Sequence, residues 1–396
     1  MSQPSFYQPY ISTAVTVDSR LNTLQGIKKN DFSGITNSYL ATGTTGDAVA
    51  PPGYGALYIG AIDGATGSTG SGSGTWYNFS VPSTWNPQET SAYGPDILTR
   101  GNGPSGIGDV ALAGTWINSS GNVLGWYYKG SLSALNSDTS GSVSTGFQSF
   151  QATTKSGSLA NYTYLHSVDG GLVAGNYSTS GGPIGLALNS GPGAGSYIYN
   201  PISKAQINIK YVDDAKYHST FGIWANDDNT YTISGGASYN QRSSRNSSME
   251  SAIATVAKAL PDAALGRGML ADVDPITGIA KNVHYYNYNN ASSRYTSVIT
   301  HFQGIYYMGS DVYQAPFFAI DTSGSIYGGN AYIHRLSNGQ FSENALWQTF
   351  EPMSTGNHPG PTSVAGDADT GIWGGGQPFA SIGDNQSYFL AAQNLK

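Results

Sequence analysis

The chain has no cysteine, which excludes disulfides, thiolate metal ligands and a cysteine nucleophile together. Charge is also scarce: 10% of residues are Asp, Glu, Lys or Arg, with 17 basic against 24 acidic. That supply builds no basic face to neutralise a phosphate backbone, so nucleic acid is not an expected partner. No apolar run approaches the ~20 residues of a membrane helix, and no membrane insertion is expected. Glutamate occurs only at Glu89, Glu250, Glu343 and Glu351, and runs of the strong helix formers are almost absent. The opening residues, Met1-Ser-Gln-Pro-Ser-Phe-Tyr7, lack the basic start and apolar stretch of a signal peptide. Neither a P-loop, a dinucleotide fingerprint nor a Ser-His-Asp order is found.

What is abundant is turn and strand material: 53 Gly and 28 Tyr among 396 residues, with many Ser, Thr and Asn. This composition reads as all-β. It is also arrayed. A short aromatic or aliphatic strand recurs around Leu57, Tyr127, Tyr197, Leu270, Tyr332 and Tyr388, at gaps of 70, 70, 73, 62 and 56 residues. Regular spacing of this kind marks a repeat architecture. After each marker comes a turn and a second strand, as in Ser196-Tyr-Ile-Tyr-Asn200 leading through Pro201-Ile-Ser-Lys204 to Ala205-Gln-Ile-Asn-Ile-Lys-Tyr211, so each unit ends in a hairpin. Ahead of each hairpin stands a glycine beside a large residue: Gly34, Gly114, Gly175, Gly222, Gly304 and Gly371. Glycine inside a strand signals close backbone approach, as where strands converge on an axis.

Two strands before each hairpin and two within it give four-stranded antiparallel sheets repeated radially. The last copy, at Tyr388, leaves too few residues for its outer strand, and Ile11-Ser-Thr-Ala-Val-Thr-Val17 offers a spare one. Pairing the termini would close the ring and remove the open edges. The chain therefore resembles a six-bladed β-propeller over nearly its whole length, a single domain spanning 1–396. It carries no WD dipeptide, kelch signature or Asp box that would point to a particular family. One amphipathic helix is expected within about 246–261, with Ile253, Val256 and Leu260 on one face and Pro261 as its stop. The register places it in the loop between the second and third strands of the fourth blade.

Candidate site residues follow from that register. The segments 82–96, 351–361 and 41–54 read as long loops on one face, and long loops in compact domains are commonly functional. They carry Glu89, Asp96 and Glu351, which with Asp367 are the candidate catalytic carboxylates; glycoside hydrolysis needs two such groups about 5–10 Å apart. Loop residues Trp85, Tyr93, Tyr54 and His358 are candidates for ligand contact, because aromatic faces stack on sugar rings. Counting back from the glycines gives Asp31, Asp109, His166, His218 and His301 at the starts of the innermost strands. As a ring at the channel mouth these would be able to hold a divalent metal or act as acid and base.

The expected function is a secreted or surface-exposed binding propeller for a glycan or another cell-surface polymer, since low charge with Asn, Ser, Thr and Tyr suits hydroxyl recognition without the desolvation cost of charge. The alternatives are a polysaccharide-acting enzyme, either a hydrolase with paired carboxylates or a His/Tyr/metal lyase, and a protein-interaction scaffold. The composition resembles that of extracellular and cell-surface β proteins.

Overall fold

The computed structural model describes residues 7–10, 22–32, 38–45, 53–61, 74–137, 146–180, 193–213, 215, 217–238, 247–259, 262–291, 298–350, 363–369, 372–376 and 387–392. The described residues are nearly all-β, with two α-helices and several antiparallel sheets. The first sheet runs β2 (Asn22–Lys29), β3 (Ser38–Thr45), β4 (Tyr54–Ala61) and β5 (Gly74–Phe79) in sequence order. An eight-stranded sheet follows. It is two meanders, β6 (Glu89–Ile97), β7 (Asp109–Ile117), β8 (Val123–Ser131), β9 (Phe147–Phe150) and β10 (Tyr162–Asp169), β11 (Leu172–Ser178), β12 (Gly195–Asn200), β13 (Ala205–Asn208), joined by one parallel contact, Tyr162 with Val123.

The next sheet is β14 (Tyr217–Ala225), β15 (Tyr231–Ser238), β16 (Arg267–Val273) and β17 (Ala280–Tyr286). In the sheet after it, β18 (Val298–Phe302) and β19 (Tyr306–Gly309) both pair with β20 (Val312–Asp321), followed by β21 (Ile326–His334) and β22 (Leu346–Phe350). The last comprises β23 (Ser363–Asp369), β24 (Ile372–Gly376) and β25 (Ser387–Ala392), with β1 (Tyr7–Tyr10) as its outer strand. All six sequence markers lie in the third strand of their meander: β4, β8, β12, β16, β21 and β25. The terminal pairing is antiparallel, Tyr7 opposite Ala392 to Tyr10 opposite Phe389. The strand that makes it is thus residues 7–10, whereas the expected 11–17 lie outside the described residues.

Successive meanders meet along their inner strands: β2 beside β6, β6 beside β10, β10 beside β14, then β15 and β16 beside β18, β20 beside β23, and β23 beside β2. Sheets so arranged bury both faces, which explains why the inner strands read as continuous apolar runs; β11 is buried at every position. The core is accordingly a set of layers between sheets. Tyr197 and Tyr199 of β12 face back onto Leu165, Val173 and Tyr127, while Ile198 faces forward onto Ile223, Ile233 and Met269.

The recurring glycine has a specific geometric cause. In four meanders the first strand bulges opposite a glycine of the second: at Leu24/Gly26 opposite Gly43, Ala92/Pro95 opposite Gly114, Leu165/Ser167 opposite Gly175, and Thr220/Gly222 opposite Gly235. A Cβ on Gly114 would sit 2.0 Å from the Ser91 carbonyl oxygen and 2.8 Å from the Trp126 ring; one on Gly175 would sit 2.3 Å from the Tyr164 carbonyl oxygen and 2.7 Å from Tyr197. Through these gaps the third-strand aromatics reach the first strand. Trp126 Nε1 donates to Ser91 O at 3.0 Å and Tyr197 Oη donates to Tyr164 O at 2.8 Å. The bulge turns those carbonyls out of the ladder, and the aromatic donor satisfies them.

Three sequence expectations change here. Segment 82–96 is not a loop: after a short 3-10 turn at Ser83–Trp85 it becomes β6. Pro95 misled because proline is usually barred from inner strands, but at a bulge its missing N–H costs nothing. The glycine series is not one position either, since Gly114 and Gly175 lie on second strands and Gly222 on a first strand. Finally, α1 (Leu132–Ser137) in the β8–β9 connection was not anticipated. The other helix, α2 (Ser247–Ala259), falls where expected, between β15 and β16. Its Met249, Ile253 and Val256 are fully buried against Phe221, Phe318 and Ile320.

Gly175→Ala is expected to destabilise the fold by about 2 kcal/mol, read by urea denaturation. Gly103→Ala, where an added methyl meets nothing within 4 Å, should leave the midpoint unchanged; equal effects at the two positions would refute the close-approach explanation. Deleting residues 1–10 should lower the thermal midpoint and expose the β25 edge to aggregation, visible in calorimetry and size-exclusion chromatography. A truncated chain that stays monomeric and melts like the parent would show that this pairing closes nothing.

Candidate functional site

The bulges decide what lines the axis. Each sets a side chain of its first strand toward the neighbouring bulge, and successive ones stack: Tyr93 on His166 with ring centroids 4.9 Å apart, His166 on Phe221 at 3.9 Å, and Phe221 against His301 at 4.6 Å. Tyr93 and His166, placed in separate groups by the sequence, are therefore partners.

Polar groups complete this belt. His166 Nε2 donates to Asp262 Oδ2, and Asn176 Nδ2 donates to the same oxygen at 2.9 Å. Asn176 also reaches the next meander, accepting from Thr220 N at 2.8 Å and donating to Thr220 O at 3.2 Å, so one amide does the work of a strand pairing between sheets. Asp262, almost fully buried, follows α2 and pins that connection to the axis. His301 is fully buried and held neutral, its pKa pulled down to about 3 by burial and by nearby His166. Gln303 Nε2 donates to His301 Nδ1 at 2.7 Å, which leaves the ring proton on Nε2, 2.9 Å from Ser219 Oγ. Ser219 Oγ also accepts from Ala264 N at 2.9 Å. A histidine donating to serine does not deprotonate it, so this pair is a structural joint and not an activated nucleophile.

Three residues beyond Tyr93 and His166 on the same strands come Asp96 and Asp169. Lys28 Nζ lies 3.5 Å from Asp96 Oδ1 and 3.0 Å from Asp169 Oδ1, and 5.1 Å from the centroid of the Trp224 ring. The other Asp169 oxygen accepts from Ala225 N at 2.6 Å. Trp224 in turn meets Tyr306 and Tyr307 edge-on and tilted, at 5.2 and 6.3 Å. Four first strands, β2, β6, β10 and β14, thus each contribute to one cluster near their C-terminal ends. Burial raises the Asp96 pKa, with the Asp169 charge adding to the rise and Lys28 opposing it. The two carboxylates share one ammonium, so their facing oxygens lie within the sum of those two distances.

The remaining candidates disperse. Glu89 begins β6 and Asp96 is its penultimate residue, roughly 20 Å away at the strand rise, so the two cannot be a catalytic pair; Glu89 accepts from Ser91 Oγ at 3.0 Å. Glu351 and His358 lie outside the described residues, as does the side chain of Asp367, which belongs to β23. Trp85 packs on Trp116 at 5.3 Å and on Phe147 at 6.3 Å, serving the core instead of a loop surface. Tyr54 begins β4, exposed.

Of the five-membered ring, only the histidines sit on first strands. Asp31 follows β2, exposed beside Lys29 at 3.4 Å, and Asp109 begins a second strand, β7. His218 turns away from the axis into the joint between the third and fourth meanders, its Nε2 3.0 Å from Asp213 Oδ2 and 2.9 Å from the Tyr285 hydroxyl. Among the described residues no group of three or more His, Asp or Glu is placed to hold a metal. Lys28, Asp169, Asn176 and Asp262 were not singled out from sequence. Isolated residues on unlike strands give no local signal, though Asp96 and Asp169 share their spacing from the bulge residue.

No protein-family model matches the chain, and no curated protein matches it in sequence. Solved structures resemble it distantly. A hypothetical protein from Leishmania major is 11% identical over 87% of this chain and 95% of that one, with a TM-score of 0.40. The extracellular domain of a Bacteroides thetaiotaomicron protein named as a one-component system is 9% identical over 99% of this chain, with a TM-score of 0.36, and the present chain spans 40% of its length. A Lactobacillus plantarum protein is 10% identical over 84% of this chain and 87% of that one, with a TM-score of 0.28. Likeness at this level carries no argument about function.

Lys28→Met should destabilise the fold by roughly 3 kcal/mol at neutral pH, because it leaves two buried carboxylates facing each other. A carboxyl whose pKa is raised in the fold favours the folded state below that pKa and loses the benefit as pH rises through it. The Lys28→Met deficit should therefore shrink as the pH is lowered into the carboxyl range. Thermal midpoints measured from pH 4 to 8 test this, and a deficit independent of pH would mean that Lys28 acts by packing alone.

Proposed function

We propose that the chain is a six-bladed β-propeller working outside the cell or at its surface, and that the end of its axial channel binds a glycan. The blade count is supported by six marker strands in equivalent positions, by the contact of each meander with the next through to β23 and β2, and by the β1–β25 pairing. The observation that carries the function is the convergence, near the C-terminal ends of β2, β6, β10 and β14, of aromatic rings from Trp224, Tyr306 and Tyr307 with the charged and hydrogen-bonding groups of Lys28, Asp96 and Asp169. Aromatic faces take the apolar face of a sugar ring, and flanking polar groups take its hydroxyls. The extracellular setting rests on composition. Among the described residues no helix is long and apolar enough to cross a membrane.

A second reading, glycoside hydrolysis, is favoured by one observation: Asp96, with its pKa raised by burial, stands across Lys28 from Asp169. Burial that raises one carboxyl of a facing pair is how such sites set apart an acid from its partner carboxylate. No metal enters either reading.

A glycan array followed by calorimetric titration of the hits tests the proposal. Trp224→Ala should weaken a hit at least tenfold while the protein still unfolds cooperatively. Should the wild type bind no glycan at millimolar concentration, or Trp224→Ala bind as the wild type does, the channel end is not a glycan site. Release of new reducing ends by the wild type, lost in Asp96→Asn, would move the assignment to the hydrolase.

A further inference from the structure

At the opposite end of β14 from Trp224 lies a second cluster, on the rim between the third and fourth meanders. His218, Ala237 and Arg267 are register partners across β14, β15 and β16, so their side chains share one face of the sheet. Tyr285 of β17 joins them: Arg267 Nη2 donates to its carbonyl oxygen at 2.9 Å, and the guanidinium lies 5.4 Å from the centroid of its ring. The Tyr285 hydroxyl donates to Asp213 Oδ2 and is 2.9 Å from His218 Nε2. Tyr211 stacks flat on the imidazole at 3.7 Å and 9°. Burial would raise the Asp213 pKa, but hydrogen bonds from His218 and Tyr285 hold it below the usual carboxylate range.

His218 and Asp213 pair with each other, while Arg267 has no such partner among the described residues. Arg335, the comparable half-buried arginine, forms a fork with both oxygens of Asp272 at 2.6 and 2.8 Å. Among the described residues no carboxylate lies in ion-pair range of Arg267, and its Nε is buried with no hydrogen-bond acceptor. The uncompensated charge is felt nearby: the His284 pKa is lowered by burial and further by Arg267, against the opposing Glu343 carbonyl. A half-buried guanidinium without an anion is costly, and its planar fork is matched by a carboxylate.

We propose that Arg267 binds the carboxylate of an acidic sugar at this rim, with the His218–Tyr285 pair as hydrogen-bonding partners for the adjoining hydroxyls. The inference rests on the glycan reading only for the hydroxylated part of the ligand; carboxylate recognition stands on Arg267 itself.

Trigalacturonate is the probe, titrated calorimetrically into the full chain. Binding is expected, with at least a tenfold loss on methyl esterification of the probe and a similar loss in Arg267→Gln. The variant should melt no lower than the wild type, because it removes an unpaired charge. Arg267→Lys, which keeps the charge without the fork, should recover part of the affinity. Acetate should compete weakly, and sulfate less well than acetate. Equal binding of the free acid and its methyl ester, no binding of either, or undiminished binding by Arg267→Gln would each overturn the proposal; the ester comparison needs no variant. Sulfate competing as well as acetate would overturn the carboxylate specificity. Trp224→Ala separates the two sites: loss of trigalacturonate binding in that variant alone would leave the channel site standing and this one refuted. Binding lost only in Arg267→Gln would establish the rim whatever the fate of the channel.

Discussion

The arrangement hinges on one contact, a third-strand aromatic passing over a second-strand glycine to hydrogen-bond a bulged first-strand carbonyl. Trp126 over Gly114 to Ser91 and Tyr197 over Gly175 to Tyr164 are its clearest instances. The bulge bends the first strand and frees a carbonyl; the aromatic donor keeps that carbonyl from being a buried orphan; and the glycine is the only residue that lets the two meet. Without the bulge the first strands would run flat and their side chains would alternate regularly. With it, Tyr93, His166 and Phe221 are re-aimed into a continuous stack.

The functional candidates descend from that device. Because the bulges fall at equivalent heights, residues three positions further on, Asp96 and Asp169, also arrive together and share Lys28. The buried half of the axis is consumed by structure. His166, Asp262, Asn176, Ser219, His301 and Gln303 satisfy one another, and α2 with the segment after it seals them from water. Burying so many polar groups is tolerable only when each is paired. The two sites proposed for ligands lie outside that satisfied network, at the Lys28 and Trp224 cluster and at the rim by Arg267.

These two places differ in electrostatic character. The Lys28 cluster sets two carboxyl groups around one ammonium and is flanked by aromatics, which in the proposed reading suits a neutral polyol. The rim has a guanidinium without its own anion, which suits an acidic one. A chain with so few charges spends them at defined positions, and Arg335 with Asp272 shows the purely structural use of the same residue type between adjacent sheets.

Much of the fold was legible before any coordinates. Strand period and turn chemistry are local, so the markers at Tyr127, Tyr197 and Tyr332 and the helix around Ile253 could be placed from the sequence alone. The pairing of an N-terminal strand with β25 followed from counting, although the residues involved are 7–10. The segment 82–96 was missed because Pro95 is read against an unbulged strand, and a bulge has no signature of its own in a single sequence. The site was barely legible. Tyr93, Asp96 and His166 were singled out but not with the neighbours they have, Tyr93 with His166 and Asp96 with Lys28, and Lys28, Asp169 and Arg267 passed unnoticed. Their meaning lies in distances across sheets more than a hundred residues apart in some cases, as between Lys28 and Asp169. Local sequence determines which residues form each strand and turn, because hydrogen bonding and alternation act over a few positions. Which side chains meet at the axis and the rim is decided only when bulge, glycine and aromatic bring distant strands into register.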